Sequence, residues 1–331
     1  MRSKHYVIGI DGGGTKTACM LVDMEGSAVA CSTVGGSNHQ IDGLSAAMEN
    51  VCQAIDDVCG QIGVKREEIG FVFLGMAGAD MQEDFALLRS GLKRALGEIP
   101  FEVVNDLWIV FSSAAEDDWG AVSICGTGSN MAVKTREGKL YSVRALRYTL
   151  GNYGGGHHLA EIALHHAFRC EEGTGEYTRL VEELPTLCQC KSMQELAMCI
   201  YSSNYRYYRD YNIPRMVFDL AEQGDSVCLR IIEEMGQEMG EMLGRLILRS
   251  GMEKLPVPVV LAGSQYAKDE KGLLLRPFVE VLKTYVPDAR IRLAEDPPVF
   301  GAVMDAAAAL GKRFPEEARE NLRLVARQTF S

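Results

Sequence analysis

The sequence predicts an α/β protein built from two similar domains, and three observations carry that prediction. The chain has 331 residues, a length that fits about two domains of ordinary size. Continuous apolar runs alternate with segments whose apolar residues recur at helical spacing, as strands and helices taken in turn do. One pattern also occurs twice: strand, glycine turn, strand, acidic-glycine turn, strand, first from Ile8 to Val34 and again from Trp119 to Val143. Repetition of that kind points to a duplicated architecture. The expected division is 1–117 and 118–331, with a mostly helical insert over about 157–250 in the second domain.

The elements follow in order. Ile8-Gly9-Ile10-Asp11 is an apolar run ending in an acid, and Ala18 to Asp23 is a second short apolar run. Met24-Glu25-Gly26 makes a tight turn into a third, Ser27 to Val34. Gly35-Gly36-Ser37-Asn38-His39 is a polar loop. Leu44, Met48, Val51, Ile55 and Val58 then recur at helical spacing. Ile69 to Met76 reads as a buried strand, 80–96 as a helix, Glu102 to Asn105 as a strand delivering Asp106 at its end, and 107–115 as a helix. In the second copy, Trp119 to Cys125 leads through Gly126-Thr127-Gly128-Ser129 to a strand over Asn130 to Lys134, and Leu140 to Val143 is the third strand. Gly151-Asn152-Tyr153-Gly154-Gly155-Gly156 is a glycine-rich loop. A long amphipathic helix is expected over 225–250, a strand over Pro256 to Ala262 closing in Gly263-Ser264, a helix over 272–286, a strand over Arg290 to Leu293 and an Ala-rich helix over 299–312.

The opening glycines do not make either of the common nucleotide loops. A P-loop and a dinucleotide fingerprint both open a helix with fixed glycine spacing, whereas Gly12-Gly13-Gly14 joins strand to strand. A glycine turn between strands can still hold a phosphate, because backbone N–H groups without neighbouring Cβ atoms approach an anion closely. Thr15 and Thr17 would add hydroxyl donors and Lys16 a charge. Asp11 would hold Mg2+ through water, since that ion gives up its waters reluctantly. The plain alternative is an ordinary hairpin turn. In open α/β sheets ligands collect at the carboxyl ends of strands, which is where Asp106 also falls. The two glycine turns would stand on opposite walls of one cleft.

Composition narrows the partners. The net charge is -11, with no basic block, so nucleic acid and anionic membrane surfaces are not expected partners. No apolar stretch reaches the roughly 18 residues of a membrane span, and the N-terminus lacks the apolar core of a signal peptide. A cytoplasmic location is therefore expected. The ten cysteines are scattered and read as reduced core thiols; Cys188-Gln189-Cys190 is not a C-x-x-C metal or redox motif. His157, Glu161 and His165 share a helix face, with His158 and His166 beside them. That face could bind a divalent metal, but it lacks H-E-x-x-H and reads better as a polar face turned toward an acceptor. Tyr201, Tyr205, Tyr207, Tyr208 and Tyr211 read as core or dimer surface.

Four motifs, in order, resemble one superfamily: Asp11 to Thr17, Asn105-Asp106, Cys125 to Asn130, and Leu261-Ala262-Gly263-Ser264. The chain resembles the sugar kinase, actin and Hsp70-like ATPases. Within them it is similar to the BadF/BadG/BcrA/BcrD ATPase family, which includes N-acetylglucosamine kinases. The resemblance covers nearly the whole chain. It implies two ribonuclease H-like, actin-like ATPase domains around a central cleft that holds ATP and Mg2+. It further implies that Asp106 takes the proton from the acceptor hydroxyl and, with Asp11, serves the metal. Asn38 would contact the sugar. Gly12, Gly13, Gly14, Thr15, Gly126, Thr127, Gly128 and Ser129 would meet the phosphates, and Gly263 and Ser264 would lie near the adenosine. Family members are often dimers, so a homodimer is expected. The chain departs from the pattern at Asn152 and Tyr153, which replace an acid that grips the sugar and a glutamate, and at Ala145-Leu146-Arg147, where a G-W-G stretch is missing. Asn152 remains the substrate-side candidate there, but an amide cannot accept two hydroxyls as a carboxylate does.

The expected function is an ATP-dependent kinase acting on a sugar or amino-sugar hydroxyl. An activator of 2-hydroxyacyl-CoA dehydratases, which resembles this fold, would bridge an iron–sulfur cluster across a dimer with cysteines, and no suitable pair is evident. A sensor that binds sugar without phosphorylating it is the third possibility.

Overall fold

The computed structural model describes residues 5–27, 29–115, 117–146, 148–203 and 207–330. Arg147 and Tyr205 lie outside the described residues. By its contacts the chain divides into two units, Met1–Asp118 with Ala294–Ser331, and Trp119–Leu293.

In the first unit, β1 (Tyr6–Gly12), β2 (Lys16–Asp23) and β3 (Val29–Gly35) form an antiparallel meander. The short helix α1 (His39–Asp42) and α2 (Leu44–Ile62) lead to β4 (Ile69–Met76). Then α3 (Gln82–Leu96) leads to β5 (Phe101–Asn105), which runs directly into α4 (Asp106–Ala114). The sheet order is β3-β2-β1-β4-β5, with β1, β4 and β5 parallel. Crossover helices α2 and α3 put those strands side by side, as parallel pairing requires. The register sets Gly12 opposite Met76 and Met76 opposite Asn105. Three strand ends are therefore level, and the residues just beyond them share one edge.

Strand alternation sorts the first sheet's side chains into two cores. Ile8, Ile10, Cys19 and Leu21 bury against Val51, Ile55 and Val58 of α2 and Leu88 and Leu92 of α3. Val7, Met20, Val22 and Phe73 face the other way. A sheet buried on both faces needs cover on both, and residues far along the chain supply the second cover.

In the second unit, β6 (Gly120–Cys125), β7 (Ser129–Lys134) and β8 (Leu140–Ser142) repeat the meander. Five helices follow: α5 (Gly156–Glu171), α6 (Leu180–Leu187), α7 (Met193–Ser202), α8 (Ile213–Glu222) and α9 (Ser226–Ser250). Next come β9 (Pro258–Ala262), the short α10 (Ser264–Ala267), α11 (Leu275–Tyr285) and β10 (Arg290–Leu293). The order is β10-β9-β6-β7-β8, with β6, β9 and β10 parallel. The expected helical insert is thus α5 to α9, and α9 matches the long amphipathic pattern. Asp225 caps it, accepting from the N–H groups of Val227 and Cys228, which satisfies donors the helix itself cannot.

The chain closes with α12 (Pro298–Ala309) and α13 (Glu316–Phe330). The sequence reading gave 118–331 to one domain, but contacts join Ala294–Ser331 to the first unit. Val299, Phe300, Val303 and Ala306 of α12 fill the second face of the first sheet beside Val7, Met20 and Phe73. Each large side chain so buried contributes about 1.5–3 kcal/mol relative to exposure. The approach is close: a Cβ at Gly301 would overlap the Ile109 carbonyl oxygen and lie 2.6 Å from Ser113 N. Nothing was expected beyond 312. Leu322, Ala326 and Phe330 of α13, four residues apart, are buried on one stripe. Arg323 and Arg327 on α13 hold Asp296 at 2.8 and 2.6 Å. No helix among the described residues is long and apolar enough to cross a membrane.

Candidate active site

In the first unit the site residues gather at the carboxyl edge of the parallel strands. Asp11 is the penultimate residue of β1 and Asp106 opens α4 immediately after β5. Asn105 fixes that second carboxylate by two devices. Its Oδ1 accepts the Leu107 N–H (3.1 Å), capping α4. Its Nδ2 donates to Asp80 Oδ1 (2.9 Å) and to the Ala79 carbonyl (3.1 Å). Asp80, on the loop after β4, is therefore a third acid at this edge, and the sequence reading passed over it. Its signal was present: it closes the short Ala77-Gly78-Ala79 loop that leaves the buried strand β4.

The three carboxyls act on one another. Burial, then the Asp106 charge, pushes Asp11 up to about 7, with Lys16 pulling it back. Burial, then the Asp80 charge, pushes Asp106 up to about 6, against the pull of the Leu107 and Asp106 N–H groups. Asp80 is raised by burial and by Asp84, and lowered by the Asn105 hydrogen bond. Carboxyls this close titrate as a set, and Asp11 is the member that keeps its proton to higher pH.

The expected phosphate residues of this unit divide into exposed and internal. Thr15 and Lys16 are exposed. Lys16 Nζ donates to the Phe330 carbonyl at the end of α13 (3.3 Å). Thr17 is fully buried: its hydroxyl donates to the Gly35 carbonyl (2.8 Å) and lies 2.8 Å from Ser37 Oγ. It ties the loop after β3 to the hairpin and offers nothing outward, which corrects its expected phosphate role. None of Gly12, Gly13 and Gly14 has a positive φ. Glycine is needed at 12 for room, since a Cβ would stand 2.5 Å from Ser37 Oγ and 2.6 Å from the Met76 sulfur.

Asn38 caps α1, its Oδ1 accepting the Gln40 N–H (2.9 Å), and packs on Gly78, where a Cβ would meet that oxygen at 2.6 Å. Gln40 Nε2 donates to the Gly78 carbonyl (2.9 Å), and buried His39 pairs with Asp84 at 3.0 Å. Asn38 and Asn105 thus flank one short loop, Gly78 to Asp80, which brings Asn38 and Asp106 to the same edge. The cap uses Oδ1 of Asn38, and among the described residues no hydrogen bond engages its amide N–H groups.

In the second unit, Thr127 and Gly128 are exposed, and nothing lies within 4 Å of a Cβ built at Gly126 or Gly128. The turn is held from behind. Gly156 N donates to the Gly126 carbonyl (2.8 Å) and His157 N to the Thr127 carbonyl (3.0 Å). Ser129 Oγ donates to the Tyr153 carbonyl (2.6 Å). Gly263 (φ +102) crosses the end of β6, where a Cβ would lie 2.5 Å from the Cys125 carbonyl carbon, so only glycine fits there. Ser264 beside it is exposed. Asn152 is 9% exposed and its Nδ2 donates to the Ser129 carbonyl (3.1 Å), so its amide faces inward.

The histidine face is occupied by other contacts. Gly154 N donates to His158 Nδ1 (3.1 Å), Tyr148 stacks on that ring at 5.1 Å, and Tyr208 donates to Glu161 (2.7 Å). Among the described residues no group of three or more His, Cys, Asp or Glu could hold a metal ion. Asp11 and Asp106 would still suit Mg2+, which needs only one or two carboxylates and completes its shell with water and phosphate oxygens. Cys125 is fully buried and its thiol is pushed up to about 12 by that burial, so the second turn presents no thiolate to a cluster.

The profile of the BadF/BadG/BcrA/BcrD ATPase family matches residues 8–307. The chain belongs to that family. It is 27% identical over 313 residues to the N-acetyl-D-glucosamine kinase of Dictyostelium discoideum, covering 91% of this chain and 98% of that one. It is 27% identical over 300 residues to the N-acetylmuramic acid/N-acetylglucosamine kinase of Clostridium acetobutylicum, covering 90% and 97%. A ROK family glucokinase from Streptomyces griseus, solved with glucose and AMPPNP, shares the fold with a TM-score of 0.55 at 18% identity, covering 98% and 99% of the two chains. The expected actin-like ATPase architecture is thus the fold this BadF-type ATPase shares with sugar kinases.

Proposed function

We propose that the protein is an ATP-dependent carbohydrate kinase whose acceptor is the hydroxyl of N-acetylglucosamine or a related amino sugar. The observation that carries this is the pair Asp11 and Asp106 at level ends of parallel strands, both raised by burial and like charge. A general base works best with a pKa near the operating pH, and Asp106, at about 6, is ionised at neutral pH yet basic enough to accept a proton. The acceptor oxygen attacks the γ-phosphorus of ATP, the bond from that phosphorus to the β–γ bridging oxygen breaks, ADP leaves, and the hydroxyl proton passes to the Asp106 carboxylate. Such transfer depends on positioning and charge neutralisation more than on covalent chemistry by the protein.

Asp11 would hold Mg2+, with Asp106 beside it. The bound ion would neutralise phosphate charge. Gly12, Gly13, Gly14 and Thr15 of one turn and Gly126, Thr127 and Gly128 of the other serve the phosphates, while buried Ser129 holds the second turn through its inward hydroxyl; Gly263 and Ser264 serve the adenosine, and Asn38 the sugar. The 27% identity to kinases named for N-acetylglucosamine supports the acceptor class. Turnover of ATP that depends on added amino sugar tests the proposal; turnover indifferent to every sugar, hexose or polyol sinks it. A homodimer is part of the same proposal, and sedimentation at micromolar concentration tests it.

A further inference from the structure

We infer that Asn152 is a positioning residue for the nucleotide, holding the Gly126–Ser129 turn in shape through Ser129, and is not a contact of the sugar. The inference rests on the kinase proposal above.

The loop and the turn are laced together residue by residue. Asn152 Nδ2 donates to the Ser129 carbonyl (3.1 Å), and Ser129 Oγ donates back to the Tyr153 carbonyl (2.6 Å). Gly155 (φ +88) lies against Gly128 so closely that a Cβ would stand 2.5 Å from its carbonyl carbon. Gly156 and His157, the first two residues of α5, spend their N–H groups on the Gly126 and Thr127 carbonyls. Gly126 N itself donates to the Gly128 carbonyl (2.9 Å).

All four carbonyls of the turn are therefore taken up within the protein. The N–H groups of Thr127 and Gly128 have no acceptor among the described residues, and the space around Gly126 and Gly128 is open. Exposed, adjacent donors with no Cβ over two of the three turn residues suit an anion. Asn152 contributes by fixing the far end of this turn from a buried position. The amide can do so where a carboxylate cannot, because an ionised carboxylate has no hydrogen to give the Ser129 carbonyl and would set two oxygens against each other.

That chemistry makes Asn152→Asp the discriminating variant. If Asn152 gripped sugar, a carboxylate of the same shape would serve as well or better. If it clasps the turn, the clasp breaks. Calorimetric titration with a non-hydrolysable ATP analogue, without acceptor, is paired with KM values for ATP and for the amino sugar. Asn152→Asp should weaken analogue binding and raise KM for ATP by about tenfold, the effect of one buried acceptor left unpaired, with KM for the sugar within about twofold. Ser129→Ala, which deletes only the reciprocal bond, should give the same split at about threefold. If Asn152→Asp does not fold, Ser129→Ala decides alone. Wild-type analogue binding by the folded variants, or a KM change confined to the sugar, overturns the inference and leaves the kinase proposal standing. A wild-type protein that binds no analogue overturns both.

Discussion

The two glycine turns share a sequence pattern, and their surroundings differ. In the first unit the turn between β1 and β2 is pressed from behind by Gly36, where a Cβ would stand 2.5 Å from the Gly14 carbonyl oxygen. Gly12 is equally crowded by Ser37 and Met76. In the second unit Gly126 and Gly128 have nothing within 4 Å, and the crowding is displaced onto Gly155 and Gly263 behind them. Acids are also unevenly placed. Asp11, Asp80 and Asp106 all stand at the edge of the first sheet, whereas the second turn offers backbone N–H groups and hydroxyls. The two copies have diverged: one carries carboxylates on a rigid edge, the other an open glycine bend.

The sharpest way to break that contrast is to remove the acid. Asp106→Asn should lower kcat by about 10²–10⁴-fold while analogue binding, proposed to rest on the glycine turns, changes little; loss of both together would dissolve the division between acids and turns. Next, Gly126→Ala should raise KM for ATP severalfold without lowering Tm, because its Cβ meets ligand space and no protein atom. Gly36→Ala should do the reverse, costing about 1–3 kcal/mol of stability through overpacking, read by thermal melting. If the two substitutions behave alike, glycine has one role in both turns.

Charge effects are smaller. The rate should fall as pH drops through about 6, as Asp106 takes up its proton. Asp80→Asn removes the charge that raises Asp106, so the acid limb of the kcat profile should move to lower pH; an unmoved limb would detach Asp80 from the site. Asp11 has a folded-state pKa of about 7 against an ordinary 3.8. Protonation therefore favours the folded state, fully so below about pH 4, and that stabilisation is lost as pH rises through about 7. Asp11→Asn should thus raise Tm by about 2–4 °C at pH 8 and leave it unchanged near pH 4.

Much of this was legible in the chain itself. Apolar runs and helical spacing are local properties, so β1 to β7, α2, α3 and α9 could be read from residues alone, and Asp11 and Asp106 stood out as acids ending strands. Asp80 lies on the loop after β4, and no motif drew attention to it. Thr17 and Asn152 were read as outward donors because spacing reports neighbours along the chain, not which way a hydroxyl or amide turns. Their partners Gly35, Ser37 and Ser129 lie across a hairpin or a loop. The C-terminal segment shows the same limit: its apolar stripe is written in the sequence, but the sheet face it covers belongs to β1, β2 and β4. Local periodicity and turn chemistry were thus fixed by the sequence order. Which donors point inward depended on partners 18 to 23 positions away across a hairpin or a loop, and which helix closes the first sheet depended on residues at the far end of the chain, because burial of an apolar face and pairing of inward polar groups are settled only when those parts pack.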